Sequence, residues 1–431
     1  MNGRRVLLLL LLSGIVLVAV MARRMASAPD TLTSIYEPSG SAALVPGPEL
    51  DFADYVDENR RRIAAVLART HFATQEEPFG SGYTLETVVD MRAPYELPDG
   101  GALCDASGHG TGMGFLLIHG LTDSPYLLGT VARRLQRAYP CALVRGLLMP
   151  GHGTVPGDLL HVHRDDWLQT VAWGVEGFRP LVEQLYLVGY SNGSAVALRH
   201  VQTHPDDSLV AGLILLSPGL KARDGASALS PYARYVLKWV GQGSDRDAVK
   251  YESMAMNGAA EFALLTDEVL DAAFDTPALP IMMVMSGDDM TVDTRVALQF
   301  LCEQDTRARR VAVWYSSRFS TPLPGSCPGA EVIETSLTIP RFVNHAHVAI
   351  TLPADDPHYG MDGDYPNCRR YSDLPDDYQA CMVNDSETVY GESNIPLTEG
   401  RFDGKLLRRA TFNPLFDAMM DRMICFIDNA C

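Results

Sequence analysis

The stretch LYLVGYSNGSAVAL, residues 185–198, sets Ser191 between Gly189 and Gly193, directly after an apolar run and ahead of a helical pattern. Leu185, Leu187 and Val188 read as a buried strand, and Ala195, Val196, Leu198 and Val201 as one face of a helix. Ser191 therefore falls on a sharp strand-to-helix turn, with glycines at the two positions where a side chain would strike the neighbouring strand or helix. This G-x-S-x-G arrangement presents a hydroxyl as a nucleophile. Such a hydroxyl attacks poorly until a base takes its proton and an acid orients that base, so an acid and then a histidine are expected downstream. SGDDMTVD offers Asp288 and Asp289, with Asp293 beyond them, and VNHAHVAITLP offers His345 and His347, with His358 farther on. His347 is preferred because it directly precedes Val348-Ala349-Ile350, an apolar start to a helix or turn that would fix the imidazole at the edge of a site. A developing oxyanion needs backbone N–H donors, one from the residue after the nucleophile and one from an earlier loop. Asn192 supplies the first. The run at 113–118 ends in His119-Gly120-Leu121-Thr122, where a glycine permits close backbone approach and Leu121 supplies the second. His119, and His152 in PGHG, read as loop braces.

These residues need a scaffold. Short apolar runs at 113–118, 142–147, 185–188, 210–216 and 281–285 alternate with helical patterns. That rhythm implies an α/β architecture, a mostly parallel sheet with crossover helices on both faces. At 218–280 it breaks into helix-like pieces, 232–240 and 266–274, with no strand-like run between them. This segment is read as a small helical cap over the carboxyl edge of the sheet, where ligands bind in such folds. Its apolar residues Tyr232, Tyr235, Val236, Trp239 and Phe262 point to an apolar acyl pocket. After a further run at 311–315 comes an insertion through FSTPLPGSCPGA. The Asp, Pro, Gly and Tyr-rich segment 351–400 reads as a surface excursion, followed by a last helix at 414–427. Residues 29–110 form an N-terminal extension with a helical pattern from Tyr55 to Ala68 and no chemical signal, leaving 111–431 as the main domain.

Taken together, GFLLIHGLTDSP, LLMPGHGTVPGDL, GYSNG, SGDDMTVD and AHVAITL resemble the α/β-hydrolase superfamily, in its carboxylesterase and monoacylglycerol-lipase-like branch, which includes serine aminopeptidase-like members. The likeness covers about 112–300 and 341–352, with the final helix. In that family the acid lies three residues before a Val or Ile that re-enters the core, and Val292 stands in that relation to Asp289; Asp288 then reads as a solvated turn residue. The resemblance implies a serine hydrolase acting on carboxylic esters, with Ser191, Asp289 and His347 as triad, Leu121 and Asn192 as oxyanion donors, and no cofactor. A small-molecule or lipid ester is the expected substrate. A serine peptidase of the aminopeptidase-like type is the alternative. A non-catalytic binding module is a third reading, disfavoured by the complete set of triad residues, and an Asp-nucleophile dehalogenase or epoxide hydrolase is disfavoured by serine at the elbow.

Composition bounds the rest. With 431 residues, 47% hydrophobic and 20% charged, the chain can bury a substantial core. A formal net charge of −18 argues against nucleic acid as a partner, since binding a phosphate backbone needs clustered Lys and Arg. Residues 1–28 hold the apolar run Val6 to Met21 between Arg4-Arg5 and Arg23-Arg24, the pattern of a signal peptide or an N-terminal membrane anchor. An exported chain would form disulfides from its eight cysteines, and Cys368 with Cys381 and Cys425 with Cys431 are the expected local bridges. No cysteine or histidine spacing fits a zinc site, so no metal is expected.

Overall fold

The computed structural model describes residues 33–98 (except 42 and 81), 112–304, 307–317, 320, 327, 331–336, 339–383, 388–392 and 404–430. The expected leader at 1–28 lies outside the described residues.

Among the described residues eight strands form the central sheet: β1 (Tyr95–Leu97), β2 (Met113–Ile118), β3 (Leu143–Leu147), β4 (Gln184–Tyr190), β5 (Val210–Leu216), then β8 (Ile281–Ser286), β9 (Arg310–Ser316) and β10 (Glu331–Ser336). Their order is β1-β3-β2-β4-β5-β8-β9-β10, parallel throughout except for β1, which runs antiparallel to β3. The chain thus has an α/β-hydrolase fold. The inner strands read as unbroken apolar runs because both faces are covered, and alternate residues part into two cores. Leu116, Ile118, Leu185, Leu187, Leu213, Leu215 and Met283 meet the helices Arg164–Glu176, Asn192–Thr203 and Thr294–Glu303 on one face. Phe115, Leu117, Val188, Ile214, Leu216, Met282 and Val284 meet Tyr126–Ala138 and Phe416–Ile427 on the other.

The segment before β2 packs into the same body. Helix Phe52–Arg69 sends Tyr55 and Val66 into one core and Ile63 and Leu67 into the other. Its N-terminus is capped by the Asp51 side chain, which accepts from the Asp54 backbone N–H at 2.8 Å.

The cap differs from the sequence expectation. The first expected piece, 232–240, overlaps the short helix Ser230–Ala233 only at Tyr232 and Ala233, and the chain then forms β6 (Trp239–Gly241), paired antiparallel with β7 (Met254–Ala255). Gly241 and Gly243 disfavour helix there, and buried Trp239 packs edge-on to Tyr36 at 5.5 Å. The long cap helix is Met256–Asp271, beginning ten residues before the expected 266. Gly258 lies within it, where an added Cβ would stand in ordinary contact with Leu159 and Leu121 at 3.6 and 3.7 Å. Asn257 ties the helix start to the Leu159 and Val162 carbonyls at 3.0 and 2.8 Å. Farther along, buried Glu261 pairs with Arg164 at 3.1 Å and with Arg234, joining the cap helix to the body.

Beyond β10 the chain forms a layer over the sheet's carboxyl end, with β11 (Thr388–Gly391) and β12 (Leu406–Arg409) as a parallel pair. The Cys368–Cys381 bridge is present there and packs with Tyr371 in a small cluster. A second bridge joins Cys302 to Cys327, and Cys141 and Cys425 are also disulfide-bonded. Cys431, the expected partner of Cys425, lies outside the described residues.

Candidate active site

Strands β2, β4, β5 and β8 end at one edge of the sheet, and each delivers a loop to the same place. At the end of β4, Ser191 has φ 51° and ψ −119°, a backbone conformation that costs an L-residue about 1–3 kcal/mol. The turn is held by Ser191 N–H donating to the Leu216 carbonyl (3.0 Å), while the Ser191 carbonyl accepts from Ser194 and Gly219 N–H (2.9 and 3.1 Å). The flanking glycines are steric requirements. A Cβ on Gly189 would lie 2.6 Å from Ser194 Cα, and one on Gly193 would lie 2.0 Å from the Ile118 carbonyl oxygen.

Ser191 Oγ lies 2.9 Å from His347 Nε2, and His347 Nδ1 lies 2.6 Å from Asp289 Oδ2. An ionised carboxylate can only accept, so Nδ1 carries the proton and Nε2 is left to accept from the serine hydroxyl. Asp289 is fully buried, and its other oxygen accepts the Thr291 and Val292 backbone N–H groups at 2.7 and 2.9 Å. The re-entry at Val292 thus orients the carboxylate through its own amide. Ser217 Oγ donates to the His347 carbonyl at 3.0 Å and holds the loop that carries the ring.

The other candidates are placed elsewhere. Asp288 is not solvated as expected. It is buried and accepts from Ser317 and Ser320 hydroxyls at 2.9 and 2.7 Å, with its carboxyl pushed above the usual range by burial. Asp293 caps the helix Thr294–Glu303. His345 stacks on Tyr315 at 4.0 Å and bonds Asn413 Oδ1 at 2.8 Å, and burial lowers its pKa to about 4. His358 bonds Asp247 at 3.0 Å and Tyr83 at 2.7 Å.

Leu121 and Asn192 flank the serine. Among the described residues neither backbone N–H is taken by another group of the protein. The Leu121 loop is pinned from behind by two histidines acting as acceptors: His119 Nε2 takes the Met149 N–H at 3.0 Å, and His152 Nε2 takes the Thr122 N–H at 3.1 Å. Burial depresses both imidazoles, His152 to about 4, which keeps them neutral in that role. A Cβ on Gly120 would lie 3.0 Å from Ser191 Cβ, so glycine is what lets this loop close on the nucleophile.

Two charged pairs beside the site have no counterpart in the sequence reading. Asp123, 4% exposed, faces Lys250 Nζ at 3.3 Å, and burial raises its carboxyl above the usual range. Glu392 accepts from the backbone N–H of Met290 and of His347, both at 3.4 Å, and is matched by Arg409 Nε at 2.8 Å. It therefore spans the acid and base loops. Asp123 follows the oxyanion loop by two residues and was visible as a charge in an otherwise apolar motif, but nothing in the sequence pairs position 123 with 250, or 392 with 409. Of the cap residues expected to line an acyl pocket, Tyr232, Tyr235 and Val236 are 76%, 77% and 82% exposed and Trp239 is buried against Tyr36. Phe262 alone of the five stands near the elbow, its ring 3.2 Å from where a Gly219 Cβ would sit.

Comparisons with known proteins bear on the family and the fold. Residues 114–252 match the family described as Serine aminopeptidase, S33. The chain is similar to a thermostable monoacylglycerol lipase of Bacillus sp. (strain H-257), 25% identical over 189 residues, or 42% of this chain and 72% of that protein. Among solved structures, one from work on the metagenome-derived lipolytic enzymes LipS and LipT has a TM-score of 0.42 at 16% identity, covering 53% of this chain and 84% of its own. The Paleococcus ferrophilus monoacylglycerol lipase has a TM-score of 0.40 at 15% identity, covering 58% and 90%.

Proposed function

We propose that this α/β-hydrolase, of the carboxylesterase and monoacylglycerol-lipase-like kind, cleaves carboxylic esters through an acyl-enzyme on Ser191. The observation that carries this is the unbroken line from Asp289 through His347 to Ser191 Oγ, at 2.6 and 2.9 Å. In this mechanism His347 takes the hydroxyl proton as Ser191 attacks the ester carbon, and Asp289 steadies the imidazolium that forms. Leu121 and Asn192 N–H groups receive the oxyanion; each such donor contributes about 2.7–4 kcal/mol to lowering the barrier in serine hydrolases. His347 then gives its proton to the leaving alcohol, and a water activated by the same ring releases the acid. No cofactor takes part. Leu121 and Phe262 form the apolar side against which an acyl chain lies.

Turnover of p-nitrophenyl esters of increasing chain length, measured beside aminoacyl anilides, tests this reading. Ester turnover without anilide turnover is the expected result. Anilide turnover exceeding ester turnover would replace the reading with a peptidase.

We also infer export, because disulfides persist in oxidising compartments and the described cysteines are all paired. Among the described residues no helix is long and apolar enough to cross a membrane. Thiol counting on denatured protein purified without reductant is expected to find none from Cys302, Cys327, Cys368 and Cys381; four reactive thiols at those positions would contradict export.

A further inference from the structure

Beside His347 lies a cavity of about 220 Å³ whose walls come from parts of the chain that the triad and sheet leave unused. Lys250 enters from the cap side, and Tyr359, Tyr365, Arg369, Arg409 and Thr411 enter from the layer that follows the base. Val348, the residue after His347, forms part of the same wall.

The carboxylates in this cavity, Asp247 and Glu252, are already hydrogen-bonded. Asp247 accepts from His358 Nε2 and Val249 N–H, both at 3.0 Å, and from the Tyr359 hydroxyl. Glu252 accepts from the Tyr365 hydroxyl at 2.6 Å, Arg246 N–H at 2.8 Å and Ser244 Oγ at 3.0 Å. Arg409 is held by Glu392 and by Thr291 Oγ1 at 2.8 Å. Two cations retain donors. Lys250, 22% exposed, has Asp123 at 3.3 Å as its one carboxylate partner among the described residues. Arg369, exposed at the mouth, donates to the Glu252 carbonyl at 3.0 Å and pairs with no carboxylate among them. On a chain of net charge −18 the overall field repels anions, so the donors left free on two cations facing one cavity are what an anionic guest needs there.

The cavity also sits on a defined side of the chemistry. Asp123 Oδ2 lies 2.5 Å from where a Gly120 Cβ would be, and that point is 3.0 Å from Ser191 Cβ, which puts Lys250 and its partner at the shoulder of the nucleophile. The proton for the leaving oxygen comes from His347, and Val348, the next residue of the same short helical turn, belongs to the cavity wall.

We propose that this cavity receives the leaving alcohol and that Lys250 and Arg369 select alcohols bearing an anionic group, a phosphate monoester or a carboxylate. The proposal rests on the ester-hydrolase reading above and adds a substrate class to it. The layer over the base then serves as the specificity wall of the site.

The test compares kcat/KM for the butyryl monoesters of glycerol, glycerol 3-phosphate and glycerate, which share an acyl group and differ only in the alcohol. At least one anionic ester is expected to exceed the neutral one about tenfold, the worth of one charge-assisted contact. Arg369→Gln and Lys250→Met should each lower that ratio at least threefold. Because Lys250→Met also strands Asp123, product inhibition of the unmodified protein gives a second reading: glycerol 3-phosphate or glycerate should compete with the neutral ester at about a tenth of the glycerol concentration. The phosphate and carboxylate arms distinguish the two kinds of anion. A ratio at or below one, or a ratio that Arg369→Gln leaves unchanged, overturns the anionic subsite while leaving ester hydrolysis standing. Turnover of none of the three esters, together with none in the p-nitrophenyl series, overturns both.

Discussion

At the scale of single residues, what separates one histidine from another is the hydrogen bond its second nitrogen makes. His347 has a carboxylate on Nδ1 and a hydroxyl on Nε2, whereas His345, two positions earlier, has Asn413 on Nε2 and an aromatic face beneath it. Replacing His347 by Ala is therefore expected to lower kcat by about three orders of magnitude or more with little change in stability, since members of a triad act as a unit. His345→Ala should act the other way. It removes a buried ring from between Tyr315 and Phe342, which should cost about 1–3 kcal/mol while kcat stays within tenfold. Steady-state kinetics and urea unfolding of both variants check this; a larger kcat loss in His345→Ala would reverse the assignment of the base.

At the scale of elements, the strand-turn-helix that carries Ser191 works only with glycine at its two flanks. Gly193→Ala would drive a methyl group into the Ile118 and His119 carbonyls of the neighbouring strand, both backbone atoms that cannot swing aside. A loss of more than about 3 kcal/mol, or no soluble protein at all, is expected from unfolding measurements. The same covering of both faces made β2, β4, β5, β8 and β9 legible as apolar runs in the sequence; the elbow and the acid could be read because each sits at the end of such a run, and the base because it directly precedes Val348-Ala349-Ile350. What was not legible lacks that double burial. β1 is a short edge strand whose residues are only half buried, and β6 and β7 pair over two or three residues inside a segment read as helical. The start of the cap helix was not legible, because the weak helix formers Asn257 and Gly258 stand in its first turn. Glu261 makes that helix part of the body, so Glu261→Gln, which leaves Arg164 and Arg234 facing each other, is expected to destabilise by about 3 kcal/mol; an unchanged denaturation midpoint would mean the cap is held by packing alone. The layer after His347 could be seen only as composition, because its order comes from long-range pairs such as Tyr359 with Asp247 and Arg409 with Glu392.

At the scale of the whole molecule, buried histidines set the response to acid. Burial lowers His71 to about 3 and His152, His200 and His345 to about 4, and His119 is lowered as well. These rings are neutral when folded and bind protons more readily when unfolded. The stability they allow is therefore fully present above the unfolded value near 6.5 and is lost as pH falls from there toward 4. Asp245, raised to about 6 by burial, works in the opposite sense over the same range, since its folded form holds a proton that the unfolded form releases. Burial raises Asp123 and Asp288 in the same direction, and three such acids do not offset five rings. The melting temperature should fall steadily between pH 6.5 and pH 4, and a melting temperature that is flat or rising over that interval would show that these imidazoles are charged in the folded state.

The most direct measurement is the mass of the peptide containing Ser191 after reaction with a fluorophosphonate, which bonds to an activated serine hydroxyl and to little else. One adduct on Ser191 is expected in the unmodified protein, none in Ser191→Ala, and a strongly slowed reaction in His347→Ala, because the hydroxyl is nucleophilic only while Nε2 accepts its proton. An adduct that persists in Ser191→Ala, or that forms at full rate without His347, would contradict a serine nucleophile driven by this triad.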